Sequence, residues 1–156
     1  MIRLVVLDID GVLTTGEVLL DEEGRESKSL FFHDIDAVYE ARRRGVEIAL
    51  LSGEATPMVD VIARRLEVTD VYGGRLDKDA ALADIAFDLG VPLDEVCYVG
   101  DSGRDAAALR IAGLGLAPAD AVPAAHEAAD RVLEHSAGRG AVREAIELVL
   151  QANEAP

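Results

Sequence analysis

With 156 residues, half of them apolar, the chain has material for one well-filled core and too little for two. Thirty acidic residues against fifteen basic ones give a formal charge of −15, which disfavours nucleic acid and anionic membranes as partners. The single cysteine, Cys97, rules out an internal disulfide and fits a reducing compartment.

The opening MIRLVVLDID is interrupted by Arg3 and Asp8, leaving too short an apolar run for a signal peptide. No stretch is long and apolar enough to cross a bilayer, so a soluble cytoplasmic protein is expected. Within that opening, RLVVLDI (3–9) has the length and continuous apolarity of a buried strand. It ends on two carboxylates, Asp8 and Asp10. Burial and mutual repulsion oppose that placement unless something at the strand end needs negative charge.

EVLLDEEGRESKSLFF (17–32) follows, with two strand-like arms around Asp-Glu-Glu-Gly; it predicts a hairpin flap beside the two acids, with a solvated tip. ARRRG (41–45) reads as a helix C-terminus, its cations favoured by the helix dipole before Gly45. VEIALLS (46–52) is a second buried strand, ending on Ser52. Thr56-Pro57 signals a helix start, with Met58, Ile62 and Leu66 on one face. DVYG (70–73) is a weaker strand, and Asp77 is placed to cap a helix that turns Leu82, Ile85, Ala86 and Leu89 inward and stops at Gly90. EVCYVGD (95–101) is a third strong strand, with Cys97 as inert core, and GLGLA (113–117) a fourth. The last helix carries Val142, Ala145, Ile146 and Val149. With no repeat and no linker, residues 1–156 read as one domain. Strand–helix alternation predicts an α/β fold: a Rossmann-like, three-layer parallel sheet with a β-hairpin flap and no cap domain.

In open α/β sheets, ligands bind beyond the carboxyl ends of the strands. Asp8 and Asp10, Ser52, Lys78 and Asp101 all fall at strand or loop ends facing one rim. The set suits phosphoryl transfer. A carboxylate approaching a phosphate dianion meets repulsion of about 4 kcal/mol per charge pair at ~4 Å and an effective dielectric of ~20. A Mg²⁺ shared by Asp8, Asp101 and the phosphate would reverse that sign. Asp8 would then attack phosphorus, while Asp10 protonates the leaving alkoxide and later deprotonates the hydrolytic water. Ser52, Gly53 and Lys78 would hold the phosphoryl oxygens. Only two lysines stand against thirteen arginines, so a lysine at this place is informative. Asp105 is equally compatible with supporting the site and with favouring its own helix N-terminus. His33, His126 and His135 lack any partner pattern.

These residues also carry a family resemblance. DIDGVLT (8–14), LLSGE (50–54), Lys78 in LDKDA, and VGDSGRD (99–105) resemble the four motifs of the haloacid dehalogenase superfamily, in order and at fitting separations. The resemblance implies that Asp8 is the nucleophile and Asp10 the acid/base, with the Asp10 backbone carbonyl as a further Mg²⁺ ligand. DGVLT, the flap and GRGAVREAIELVL (138–150) narrow it to the capless branch that includes 3-deoxy-D-manno-octulosonate 8-phosphate phosphatases. A small phosphorylated 2-keto-3-deoxy sugar acid is the implied substrate, and a homo-oligomer, a tetramer as in that family, the implied assembly. Two departures stand out: Ser102 replaces an expected second Asp, and Ile35 replaces an arginine before Asp36. Where the eight-carbon enzymes have an arginine after Ser-Gly, this chain has Glu54. Glu54 with Arg65 further along is similar to the branch acting on nine-carbon acids, and Arg65 or a neighbouring subunit's Arg139 would then hold the substrate carboxylate. A phospho-accepting receiver and a non-catalytic oligomerisation module are the competing classes. A receiver's phosphorylated Asp ends the third strand rather than the first, and the intact acids and lysine argue against lost activity.

Overall fold

The computed structural model describes residues 1–156. Six parallel strands form its main sheet: β1 (Leu4–Leu7), β4 (Glu47–Leu51), β5 (Asp70–Tyr72), β6 (Val96–Val99), β7 (Leu114–Ala117) and β8 (Arg131–Val132). Their order is β5-β4-β1-β6-β7-β8, so β1 lies inside the sheet, hydrogen-bonded to β4 on one side and β6 on the other. Every β1 residue is buried, which is why its sequence is apolar throughout instead of alternating. β8 has no counterpart in the predicted strands. It is a two-residue exposed edge with no apolar run to reveal it.

Helices cover both faces. On one, α1 (Phe32–Arg43), α2 (Pro57–Leu66) and α6 (Ala141–Glu154) pack over Val5, Leu7, Ile48, Leu50, Cys97 and Val99. On the other, α3 (Lys78–Leu89), α4 (Ala106–Ile111) and α5 (Pro123–Ala128) cover Leu4, Val6, Ala49, Leu51, Val96 and Tyr98. Alternate strand residues thus feed two separate cores. The buried face of α2 is Val59, Ile62, Ala63 and Leu66, with Met58 only partly covered at its edge. α6 buries the four residues expected of it, with Ala141 beside them. α4 and α5 are six residues each, too short to show a periodic stripe.

Helix starts were harder to read than stops. Thr56 and Asp77 occupy the positions before α2 and α3, but neither side chain bonds the helix; Asp77 instead lies 3.6 Å from Arg75. Gly90 ends α3 at φ 66°, a left-handed conformation that glycine adopts without Cβ strain. The flap is a hairpin of β2 (Leu19–Leu20) and β3 (Glu26–Ser27), shorter than its two apolar arms suggested. Its turn is held by Asp21, whose carboxylate accepts the Glu23 and Arg25 N–H groups at 2.9 Å.

Candidate functional site

The carboxyl ends of β1, β4 and β6 and the first turn of α3 converge on a cavity of about 220 Å³ that no apolar residue lines. β1 delivers Asp8, whose N–H bonds Val99 O at 3.1 Å and whose Oδ1 accepts the Ile9 N–H at 2.8 Å. The chain then leaves the sheet through a wide turn over Ile9–Leu13, closed by Thr14 N–H to Ile9 O at 3.1 Å. The turn places Asp10 on the same cavity. Thr14, buried, donates its hydroxyl to Asp10 Oδ1 at 3.1 Å. Gly11 makes the turn possible twice over. Its φ is +80°, and a Cβ there would lie 1.8 Å from Asp101 Oδ2. β4 delivers Ser52, whose Oγ accepts the Glu54 N–H at 3.0 Å. Ser52, Gly53, Lys78 and Asp101 all line the cavity, as expected from their strand-end positions.

Asp8, Asp101 and Asp105 each place a carboxylate oxygen within 4.8 Å of the others. One lysine serves the group: Lys78 Nζ lies 3.4 Å from Asp8 and 3.2 Å from Asp105. The three acids are not equivalent. Asp105 is fully buried, and its Oδ1 accepts from Lys78 and the Tyr98 hydroxyl. Its Oδ2 accepts the Asp101 and Ser102 N–H groups at 3.0 Å and the Ser102 hydroxyl at 3.1 Å. Burial pushes Asp105 up, but Lys78, Tyr98 and the two backbone donors outweigh it and hold the group below the ordinary carboxylate value. With its lone pairs used, it supports Lys78 and the loop and has none left for a cation. Asp8 and Asp101 are in the opposite condition. Burial and the Asp105 charge raise Asp8 well above its ordinary value despite Lys78, and the same two causes push Asp101 up to about 6. A hard divalent cation between Asp8 and Asp101 would relieve this excess negative charge, so the residues present fit Mg²⁺.

Ser102 belongs to this arrangement. Its side chain accepts from, and its backbone donates to, Asp105 in a reciprocal cap. A serine here thus adds a donor where an aspartate would add a third poorly compensated charge. The other departure resolves differently. Asp36 is exposed and Ile35 is core, whereas Asp34, one turn-start earlier, is buried and accepts the Arg143 N–H at 2.9 Å. An arginine at position 35 would therefore enter the core.

Arg65 does not reach the site. Its guanidinium donates to the Tyr39 hydroxyl at 2.9 Å and lies 5.9 Å from the Phe32 ring centroid, on the outer side of α1 and α2. Arg139 is exposed and lines a neighbouring cavity of about 330 Å³ under the flap. Glu54 stands on the site rim, where its Oε2 lies 3.4 Å from Lys28. Lys28 and Thr14 were missed from the sequence, as were Tyr98 and Arg104, which also lines the site. The rarity of lysine that pointed to Lys78 applies equally to Lys28, the only other one. The histidines stay outside: His33 stacks edgewise on Phe31, His126 faces Pro118 O and His135 faces Glu144. Burial pushes the Cys97 thiol up, in keeping with inert core.

Comparison with known proteins supplies an independent line. The family model described as haloacid dehalogenase-like hydrolase matches residues 19–113. Over 151 residues the chain is 35% identical to 3-deoxy-D-manno-octulosonate 8-phosphate phosphatase KdsC of Escherichia coli K12, covering 97% of this chain and 80% of that protein. The crystal structure of the Moraxella catarrhalis phosphatase of that name, in complex with magnesium, phosphate and KDO, superposes with a TM-score of 0.92 at 32% identity, covering 97% of this chain and 87% of that one. The cobalt-bound Haemophilus influenzae phosphatase gives a TM-score of 0.92 at 32% identity, covering 97% and 88%.

Proposed function

Because this chain belongs to the haloacid dehalogenase-like hydrolases and is a phosphomonoester hydrolase, we propose that it removes phosphate from 3-deoxy-D-manno-octulosonate 8-phosphate or a close 2-keto-3-deoxy sugar acid. The observation that carries this reading is one rim holding Asp8 against Lys78 at 3.4 Å, with Asp10 and Asp101 on the same cavity. Asp8 attacks phosphorus and the ester P–O bond breaks, with its electron pair leaving on the sugar oxygen. Asp10 gives that oxygen its proton. A water then loses a proton to Asp10 and attacks the aspartyl-phosphate, freeing Asp8 and inorganic phosphate. Lys78, Ser52 and the backbone at Gly53 hold the phosphoryl oxygens, and Asp105 keeps Lys78 in place. The Asp8 and Asp101 side chains, with the Asp10 carbonyl, would hold Mg²⁺, whose charge would offset the repulsion between nucleophile and phosphate.

The whole chain works as one phosphatase domain on this reading, with residues 17–32 as its flap. The flap exposes Val18, Leu19 and Leu20, apolar side chains suited to burial between subunits of a homo-oligomer, a tetramer in this proposal. No helix is long and apolar enough to cross a membrane.

The deciding experiment measures kcat/KM for eight- and nine-carbon sugar acid phosphates with Mg²⁺, in wild type, Asp8→Asn and Glu54→Arg. Asp8→Asn should keep the fold and lose turnover, since an amide cannot attack phosphorus; retention of more than a few per cent of the rate sinks the mechanism. The eight-carbon ester is the expected substrate. A nine-carbon preference reversed by Glu54→Arg would instead assign the second substrate and make Glu54 its selector, a reading favoured by Glu54's place on the rim. A receiver or an inactive module would show no turnover of any ester.

A further inference from the structure

The two lysines of this chain lie on the two acids of the Asp8-x-Asp10 pair: Lys78 on Asp8, and Lys28, carried by the flap, on Asp10. Flap residues 17–27 are exposed, yet the Lys28 side chain is only 7% exposed. Its ammonium lies 2.9 Å from Asp10 Oδ1, 3.0 Å from Asp10 Oδ2 and 3.4 Å from Glu54 Oε2. It donates hydrogen bonds to Asp10 Oδ2 and Glu54 Oε2, and Asp10 Oδ1 completes an all-carboxylate surround. In this state the ammonium is turned to Asp10 and Glu54, and its shorter contacts are to Asp10, where its work falls.

The lone pairs of Asp10 show what that work is. Oδ1 accepts the Thr14 hydroxyl at 3.1 Å and also lies 2.9 Å from the Lys28 ammonium in ion-pair contact. Thr14 Oγ itself accepts the Gly11 and Gly16 N–H groups at 3.4 and 3.3 Å, which leaves its proton directed at Asp10. Oδ2 accepts from Lys28 alone and keeps one lone pair free. The free position is the one that can carry a proton.

We propose that Lys28 is a positioning residue for proton transfer: with Thr14 it fixes the Asp10 carboxyl so that Oδ2 delivers its proton to the departing ester oxygen. The proposal rests on the phosphatase reading. As the P–O bond breaks, its electron pair stays on the sugar oxygen, the Oδ2 proton moves to that oxygen, and Asp10 is left as the carboxylate that Lys28 holds. Because Lys28 comes from the flap and also grips Glu54, it couples the flap's seating over the cleft to the orientation of the acid.

A leaving-group comparison tests this. Lys28→Met keeps the apolar stem and removes the charge. Values of kcat/KM report the steps up to departure of the leaving group. They are measured for the eight-carbon sugar acid phosphate, for glycerol 3-phosphate, an alkyl ester without a carboxylate, and for p-nitrophenyl phosphate, whose leaving group needs no proton. The expected result is a loss of roughly 10- to 100-fold on both alkyl esters and less than about threefold on the aryl ester, with the inhibition constant of inorganic phosphate unchanged. Equal losses on alkyl and aryl esters would overturn the proposal in favour of a flap that merely shapes the site. A loss confined to the carboxylate-bearing ester would overturn it in favour of a substrate contact. A wild type inactive on every ester defeats the phosphatase reading itself, whereas an active wild type with unchanged leaving-group dependence in Lys28→Met defeats the Lys28 assignment alone.

Discussion

Asp105→Asn isolates the cost of the support beneath the site. The carboxylate accepts from five donors, two at Oδ1 and three at Oδ2. An asparagine must place its NH₂ against one of those sets. Turned towards the loop, it confronts the Asp101 and Ser102 N–H groups; turned the other way, it confronts the Lys78 ammonium and the Tyr98 hydroxyl, of which only the hydroxyl can reorient. At least two bonds to a charged acceptor are lost, each worth about 1.5–3 kcal/mol, for a total of about 3–6 kcal/mol. Lys78 keeps Asp8 at 3.4 Å, so its charge is not left wholly unpaired and the value should not exceed that range. In a domain of this size each kcal/mol moves Tm by roughly 2–4 °C, so calorimetry at neutral pH should show Tm lower by roughly 6–24 °C. A Tm within about 2 °C of wild type would mean the Asp105 network contributes little, and the assignment of Asp105 as a support would fall.

Gly11→Ala should abolish Mg²⁺-dependent turnover, because its Cβ would meet Asp101 Oδ2 at 1.8 Å in a backbone held at φ +80°; wild-type activity and metal affinity in this variant would contradict the placement of Asp101. Asp101, raised to about 6 from 3.8, binds a proton more readily when folded. Its contribution to the metal-free protein is therefore full below about pH 4 and lost as pH rises through about 6. Mg²⁺ should raise Tm more at pH 7 than at pH 5, and an equal rise at both would refute the assignment. Leu19→Asp, which puts a charge in the exposed flap patch, should shift sedimentation towards monomer; a wild type that is already a 16.5 kDa monomer at micromolar concentration would remove the oligomer from the account.

What could be read from sequence follows physical rules. Central strands were legible because burial on both faces forces uninterrupted apolar runs, as in Leu4–Leu7 and Val96–Val99. β8 was not, since two exposed residues leave no pattern. The strand-end acids Asp8, Asp10 and Asp101 are legible in the sequence because carboxylates are costly at the edge of a core. Lys28 escaped because a lysine in a solvated hairpin is ordinary, and only the folded flap brings it onto Asp10. Arg65 was misplaced for the converse reason. Its spacing along α2 was suggestive, but the helix runs away from the rim and the side chain is taken by Tyr39.

The position of β1 inside the sheet has a consequence for synthesis. Leu4–Leu7 is made first, yet its partners are Glu47–Leu50 on one side and Val96–Val99 on the other. At roughly 5–20 residues per second, about fifty residues separate the arrival of these partners, an interval of roughly 3–10 s. Through that time an apolar strand ending in two acids has one unpaired edge and no Lys78–Asp105 pair beneath it. The nascent chain can thus bring Asp8 and Asp10 beside Ser52 on the β1–β4 pair while one strand edge stays open, and the Asp101–Asp105 side of the rim is added only when β6 docks.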